Sequence, residues 1–126
     1  MSTQETQLLT APNTEDTIST VKPTIRQLND VFRQTLIGGK VIVTRGVAIF
    51  GTTAVIEIMD KIANCAEFTA DNDPYEEHDF GVIIHDGQKL FWKIDYYDET
   101  MTYGSPDPAD PTVTTRVLTV MLACEY

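Results

Sequence analysis

Cationic side chains are scarce in this sequence, and the scarcity is one-sided. Its 126 residues carry 9 Lys and Arg against 19 Asp and Glu, a net charge of −10. Acids and bases cancel over residues 1–66, so residues 67–126, whose only cations are Lys89, Lys93 and Arg116, hold the whole excess. Neutralising phosphates requires Lys and Arg, so no direct nucleic-acid or anionic-membrane binding is expected. Cysteine is equally scarce. Cys65 and Cys124 sit in helix-like apolar segments and read as buried, reduced thiols of a cytoplasmic protein, with a disulfide between packed helices as the alternative. No apolar run approaches the roughly 20 residues that span a bilayer. Met1 to Val21 has neither a basic n-region nor an apolar h-region, so no secretory signal is expected there. Signature motifs are absent too. There is no Gly-x-Ser-x-Gly, no Cys-x-x-Cys and no His-x-x-x-His, which leaves no recognisable hydrolase nucleophile or zinc site. Gly38-Gly39-Lys40 follows a helix and precedes a strand, the reverse of a phosphate-binding Walker loop.

What is present suits one globular domain, since 42% of residues are hydrophobic and domains of this length bury a real core. Residues 1–22 are polar and aperiodic and read as a flexible tail. Residues 23–126 read as a single α+β domain. Thr24 and Gln27 have capping-box spacing, and Ile25, Leu28, Val31, Phe32 and Leu36 then recur at helical intervals until Gly38-Gly39 stops the helix. Val41 to Thr44 is a short β-branched strand. A second helix opens near Thr52 or Thr53, with Val55, Ile58, Met59, Ile62, Ala63 and Ala66 on one face.

From Asp79 onward the period becomes that of strands. Asp86-Gly87 signals a tight hairpin turn, which would set His85 opposite Gln88 and Gly81 opposite Trp92. Leu90, Trp92, Ile94 and Tyr96 would share one face, and Phe91, Lys93, Asp95 and Tyr97 the other. A further turn at Asp98-Glu99 would return the chain with Met101 opposite Tyr96 and Tyr103 opposite Ile94. Asp110 before Pro111 looks like a helix start, with Val113, Val117, Val120, Met121 and Cys124 along a closing helix. The expected architecture is an antiparallel meander of three to four strands with about three helices, in the order α-β-α-β-β-β-α.

The stretch from Asp71 to Gly81, DNDPYEEHDFG, gathers five carboxylates and a histidine. Asp71, Asp73, Glu76, Glu77, His78 and Asp79 are suitable ligands for a hard cation. The spacing fails an EF-hand, however, which needs Gly at its sixth position and Glu at its twelfth. Glu76 and Val82 occupy those places. No metal and no cofactor is therefore expected, and an acidic solvated loop is the preferred reading. His78 with Asp79 and Asp95 is a weak candidate for proton transfer. The alternative is that the His78 ring bonds a carbonyl or carboxylate and pins the loop to the sheet. Phe91, Trp92, Tyr96 and Tyr97 could form a stacking platform, but nucleic-acid platforms sit among basic residues, not among Asp95, Asp98 and Glu99.

The strings NDPYEEHDFG, FWKIDYYD, GSPDPADP and RVLTVMLACEY, together with IRQLNDVFRQTLIGGKVIVTRGV near the front, resemble the uncharacterised bacterial domain-of-unknown-function family 3768. The resemblance covers residues 24–126. It implies a small intracellular bacterial protein carried on plasmids and other mobile elements, and no activity. The family's charged and aromatic motif positions fall on Asp73, His78, Asp79, Phe80, Trp92, Lys93, Asp95, Tyr96, Tyr97, Asp98, Asp107 and Asp110.

The charge pattern and the resemblance together lead to an expected function. This is a non-enzymatic, cytoplasmic module that binds a basic, nucleic-acid-binding host protein, as an accessory or counter-defence factor mimicking DNA phosphates. Asp71, Asp73, Glu76, Glu77, Phe91, Lys93, Asp95, Tyr97, Asp98 and Glu99 are its candidate binding surface. A hydrolase or metal-dependent enzyme centred on His78, and a structural protein with no mimicry, are the alternatives.

Overall fold

The computed structural model describes residues 22–126, so the tail expected over residues 1–22 lies, but for Lys22, outside the described part. Three α-helices are found among the described residues: α1 (Ile25–Thr35), the short α2 (Arg45–Ala48) and α3 (Thr52–Ala63). Four strands, β1 (Gly39–Val43), β2 (Phe80–His85), β3 (Gln88–Tyr97) and β4 (Thr115–Leu122), form one sheet in the order β1-β4-β3-β2. A single 3₁₀ turn, Ala123–Glu125, follows β4. The class is α+β, as expected. The sheet, however, is mixed: β1 runs parallel to β4, while the other pairings are antiparallel.

The local start and turn signals act as read. Thr24 and Gln27 close a reciprocal capping box on α1, which satisfies two N–H groups that a helix start leaves unpaired. Asp86 and Gly87 both take positive φ, +50° and +78°, the twist that joins two right-handed strands through two residues. His85 pairs with Gln88, and Gly81 with Trp92. A Cβ at position 81 would run into the indole, so glycine there makes room for the largest core residue. Leu90, Trp92 and Ile94 are buried beneath the helices with Leu118, Val120, Ile58 and Ile62.

The closing helix does not form; its residues are the strand β4. The spacing of Val117, Val120 and Met121 fits a helix, but periodicity cannot separate a short apolar run from a strand buried on both sides. Here Leu118 and Val120 face the helices, Val117 and Met121 face the other way, and all four are buried. β-Branched Thr115, Val117, Thr119 and Val120 favour the extended form. Asp110 caps no helix. Its carboxylate accepts from the Thr112 N–H at 2.9 Å and from the Thr112 hydroxyl at 2.6 Å, a turn that Pro111 suits.

Since β4 takes the place beside β3, the return strand expected at Met101 and Tyr103 has none. Arg116 stands opposite Tyr96 and Leu118 opposite Ile94, and the returning chain meets β3 at a single Tyr97–Gly104 bridge, in a register other than the expected one. The Asp98 carboxylate instead gathers the amides of Thr100 and Thr102 into a tight turn.

Two further expectations are corrected. The buried face of α1 is Asn29, Phe32 and Arg33; Val31 and Leu36 are exposed. Leu36 itself takes the left-handed cap, φ +60°, and donates to Phe32 O at 2.7 Å. Both cysteines are free, and Cys124 is exposed in the 3₁₀ turn, not buried in a helix.

Candidate functional site

The loop between α3 and β2 is built around its own polar atoms. Thr69 and Asn72 exchange side chain-to-backbone bonds of 3.0 and 3.3 Å, and the Asp73 N–H donates to Thr69 O at 2.8 Å. The Asp73 carboxylate, buried, then accepts from the N–H groups of Glu77 at 2.9 Å and His78 at 3.1 Å. Those bonds hold a backbone in which Glu76 and His78 both take positive φ, a conformation that side chains other than glycine resist.

The loop is fastened to the helices by residues that periodicity alone had placed among ordinary helix positions. The His78 ring bonds Asp30 of α1 through Nδ1, at 2.9 Å, and stacks on Phe68 with centroids 3.8 Å apart. The ring therefore pins the loop to α1 and not to the sheet. Arg33 is buried and donates to Asp30 Oδ1 at 2.6 Å and to the carbonyls of Ile62 and Cys65 at 2.7 and 2.9 Å. It thus caps the C-terminal end of α3, where unpaired carbonyls favour a cation.

Asn29, fully buried, donates to Glu77 O at 3.0 Å and to the Tyr96 hydroxyl oxygen at 2.8 Å, and accepts from Arg116 Nε at 2.7 Å. The Tyr96 hydroxyl in turn donates to Glu77 Oε1 at 2.8 Å. Burial, then the neighbouring Glu77 carboxylate, push the Tyr96 phenol far above its usual range, against the opposing Asn29 bond, so it stays a donor. Burial lowers the Arg116 guanidinium from its usual value, partly offset by Tyr96 and Glu77.

This scaffold leaves a groove of about 470 Å³ between the loop and the outer side of β2 and β3. Asp71, Asp79 and Asp95 line it together with one cation, Lys93, whose ammonium is held by Asp95 at 3.1 Å. Tyr75 and Tyr126, 83% and 74% exposed, stand at its rim. Tyr126 is positioned by Phe80 and Phe91, 5.7 and 5.4 Å away between ring centroids. The Asp79 side chain is half-buried, and apart from its own backbone N–H no described residue donates a hydrogen bond to its carboxylate. Burial raises its carboxyl above the usual carboxylate value, and the charges of Glu77, Asp73 and Asp95 add to this, against an opposing backbone bond.

The ten residues read as a binding surface therefore separate. Asp71, Lys93 and Asp95 line the groove, and Phe91 supports its Tyr126 wall. Asp73 and Glu77 are taken up inside the loop. Glu76 points to a different cavity beside Arg26, 3.9 Å away. Tyr97, Asp98 and Glu99 lie at the far end of β3, outside the groove. Of the proton-transfer candidates, Asp79 and Asp95 share the groove and His78 does not. Among the described residues no three His, Cys, Asp or Glu side chains converge as metal ligands.

Asn29, Asp30, Arg33, Tyr75, Arg116 and Tyr126 were not singled out from the sequence. One signal for them was available: Asn29 and Arg33, four apart, flank Phe32 on the face that α1 buries.

Residues 43–125 match the family described as "Protein of unknown function (DUF3768)". No curated protein and no solved structure matches the chain. The matched span contains the loop, β2, β3 and β4. It leaves out α1, which supplies Asp30 and Arg33 to the loop.

Proposed function

The chain belongs to the family described as protein of unknown function (DUF3768), which brings no activity with it, and from the groove we propose a non-enzymatic acidic module that binds a basic protein. Asp79 carries this reading. A half-buried carboxylate that is crowded by other carboxylates and takes no hydrogen bond from another described residue is best satisfied by a cation arriving from outside. A guanidinium or ammonium in the groove would meet Asp79 and Asp95, and its stem would lie against the Tyr75 and Tyr126 rings. Asp71, Glu76 and Glu99, outside that contact, would steer the approach.

The finer form of the proposal is phosphate mimicry. The carboxylates would occupy a groove of a nucleic-acid-binding host protein, as an anti-restriction or anti-CRISPR-like counter-defence factor of a bacterial plasmid or phage, acting in the cytoplasm. The one-sided charge and the family resemblance support it. No helix among the described residues is long and apolar enough to cross a membrane. An enzyme centred on His78 draws less support. Its Nδ1 is taken by Asp30, one ring face is covered by Phe68, and Nε2 faces the buried Asp73 carboxylate at 3.9 Å.

The test is an anisotropy titration of a labelled arginine-rich peptide against the full chain at low and physiological salt. Affinity should fall steeply as salt screens the surface charges. The double variant Asp79→Asn, Asp95→Asn should weaken binding about tenfold, the loss of one charge-assisted contact. Binding that is indifferent to both salt and the double variant would sink the reading. A host protein captured by the wild type and lost by the double variant would then be the partner.

A further inference from the structure

The sheet ends on β1, which has no neighbour on its outer side among the described residues. The Thr44 N–H donates to Val120 O at 3.0 Å, which fixes the phase of the parallel ladder. Lys40 and Ile42 then direct their backbone groups to β4, as Thr44 does. The N–H and C=O groups of Gly39, Val41 and Val43 point out of the sheet. The surface here differs from the rest of the molecule. Residues 31–56 contain no Asp or Glu. Ile37, which leads into the strand, is 77% exposed, and Ile42 is 50% exposed. Solvent-facing edges are ordinarily guarded by charges, prolines or bulges; the strand Gly39–Val43 carries one such guard, Lys40.

We propose that β1 pairs antiparallel with β1 of a second copy of this chain, about a twofold axis at Val41, so that two sheets become one. In this register Val41 meets Val41 and Gly39 meets Val43. Each such pair exchanges both of its backbone bonds, about six in all. Lys40 lies opposite Ile42, so its stem covers an exposed isoleucine and no like charges stand directly opposed. Charge opposes a second copy least at this edge. A body of net charge −10 approaches its like most easily where acid is sparse. Glu125, the carboxylate at the end of β1, is held by the Thr44 hydroxyl and the Leu122 N–H, and β1 is the strand farthest from the groove at β2. A five-residue edge falls short of the roughly 800 Å² per partner of a standard interface. The dimer is therefore weak and concentration-dependent.

Sedimentation equilibrium of the full chain over a concentration series tests this. The mean mass should rise from 14.1 kDa towards twice that value, and more readily at high salt, which screens repulsion between the acidic bodies. Groove binding has the opposite salt dependence. Val41→Pro should hold the chain monomeric, because the Val41 N–H has no bond to lose within the sheet and an edge strand accepts proline there. Ile42→Lys sets a cation opposite Lys40 and should weaken association about tenfold, whereas Ile42→Glu should stay within about threefold of wild type. Circular-dichroism melts check folding; if Val41→Pro fails to fold, the exposed Ile42 pair decides. A monomer at every concentration and salt overturns the proposal, even if the edge captures a foreign strand. A dimer that persists in Val41→Pro overturns it, as does an equal loss with Lys and Glu at position 42. Asp79→Asn should leave association unchanged, so failure here and failure of the groove reading are told apart.

Discussion

The two edges of the sheet are finished in opposite ways. At β2 a side chain takes up one edge carbonyl, Lys61 Nζ donating to Ile84 O at 2.8 Å, and the acidic loop leads straight into the strand. At β1 the backbone groups are left open in the acid-free part of the chain. In an acidic molecule the carboxylates thus gather beside one edge and are absent from the segment, residues 31–56, that forms the other. The contrast also separates stability from function. The loop beside β2 hangs on a few buried polar contacts, whereas β1 rests on its ladder with β4.

The contrast breaks most severely at Arg33. Arg33→Ala should cost about 3–5 kcal/mol, because it strips the α3 carbonyls and the half-buried Asp30 of their buried donor. A chemical melt measures the loss. A cost below 1 kcal/mol would show that the loop does not depend on this cation.

Next comes Asp73. Asp73→Ala should cost about 1–3 kcal/mol by orphaning the Glu77 and His78 amides, while Asp71→Asn, exposed on the same loop, should stay within about 0.5 kcal/mol. Equal melts for the two variants would erase the distinction between loop carboxylates that hold the fold and those free to bind.

Gly87→Val should cost about 1 kcal/mol or more, since β-branched valine resists the left-handed φ at the β2–β3 turn. An unchanged melting curve would count against that turn.

The smallest effect has the opposite sign. Burial, followed by its acidic neighbours, raises the Asp79 carboxyl in the folded chain, so the folded state binds that proton more tightly than the unfolded state. The contribution to stability is complete below the ordinary carboxylate value and is lost as pH rises through the raised one. At neutral pH Asp79→Asn should therefore raise the Tm slightly, and the advantage should vanish on acidification below the ordinary carboxylate value. A variant less stable than wild type at neutral pH would mean that Asp79 has a partner within the fold.

Signals that act over a few residues were legible in the chain itself: the Thr24–Gln27 cap, the Asp86-Gly87 turn, Gly81 facing Trp92, and the alternation along β3. Each is settled by dihedral preference or by bonds between near neighbours, which the sequence alone determines. The one-sided charge was equally legible, being a sum over residues. Tertiary structure alone decided that Val117 to Met121 form a central strand, because a segment buried on both faces loses the periodicity that tells a strand from a helix. It also decided which carboxylates are built into the fold and which stay exposed. Asp71 and Asp73 are the same residue type two positions apart; burial and two backbone amides make Asp73 part of the fold, and solvent leaves Asp71 free.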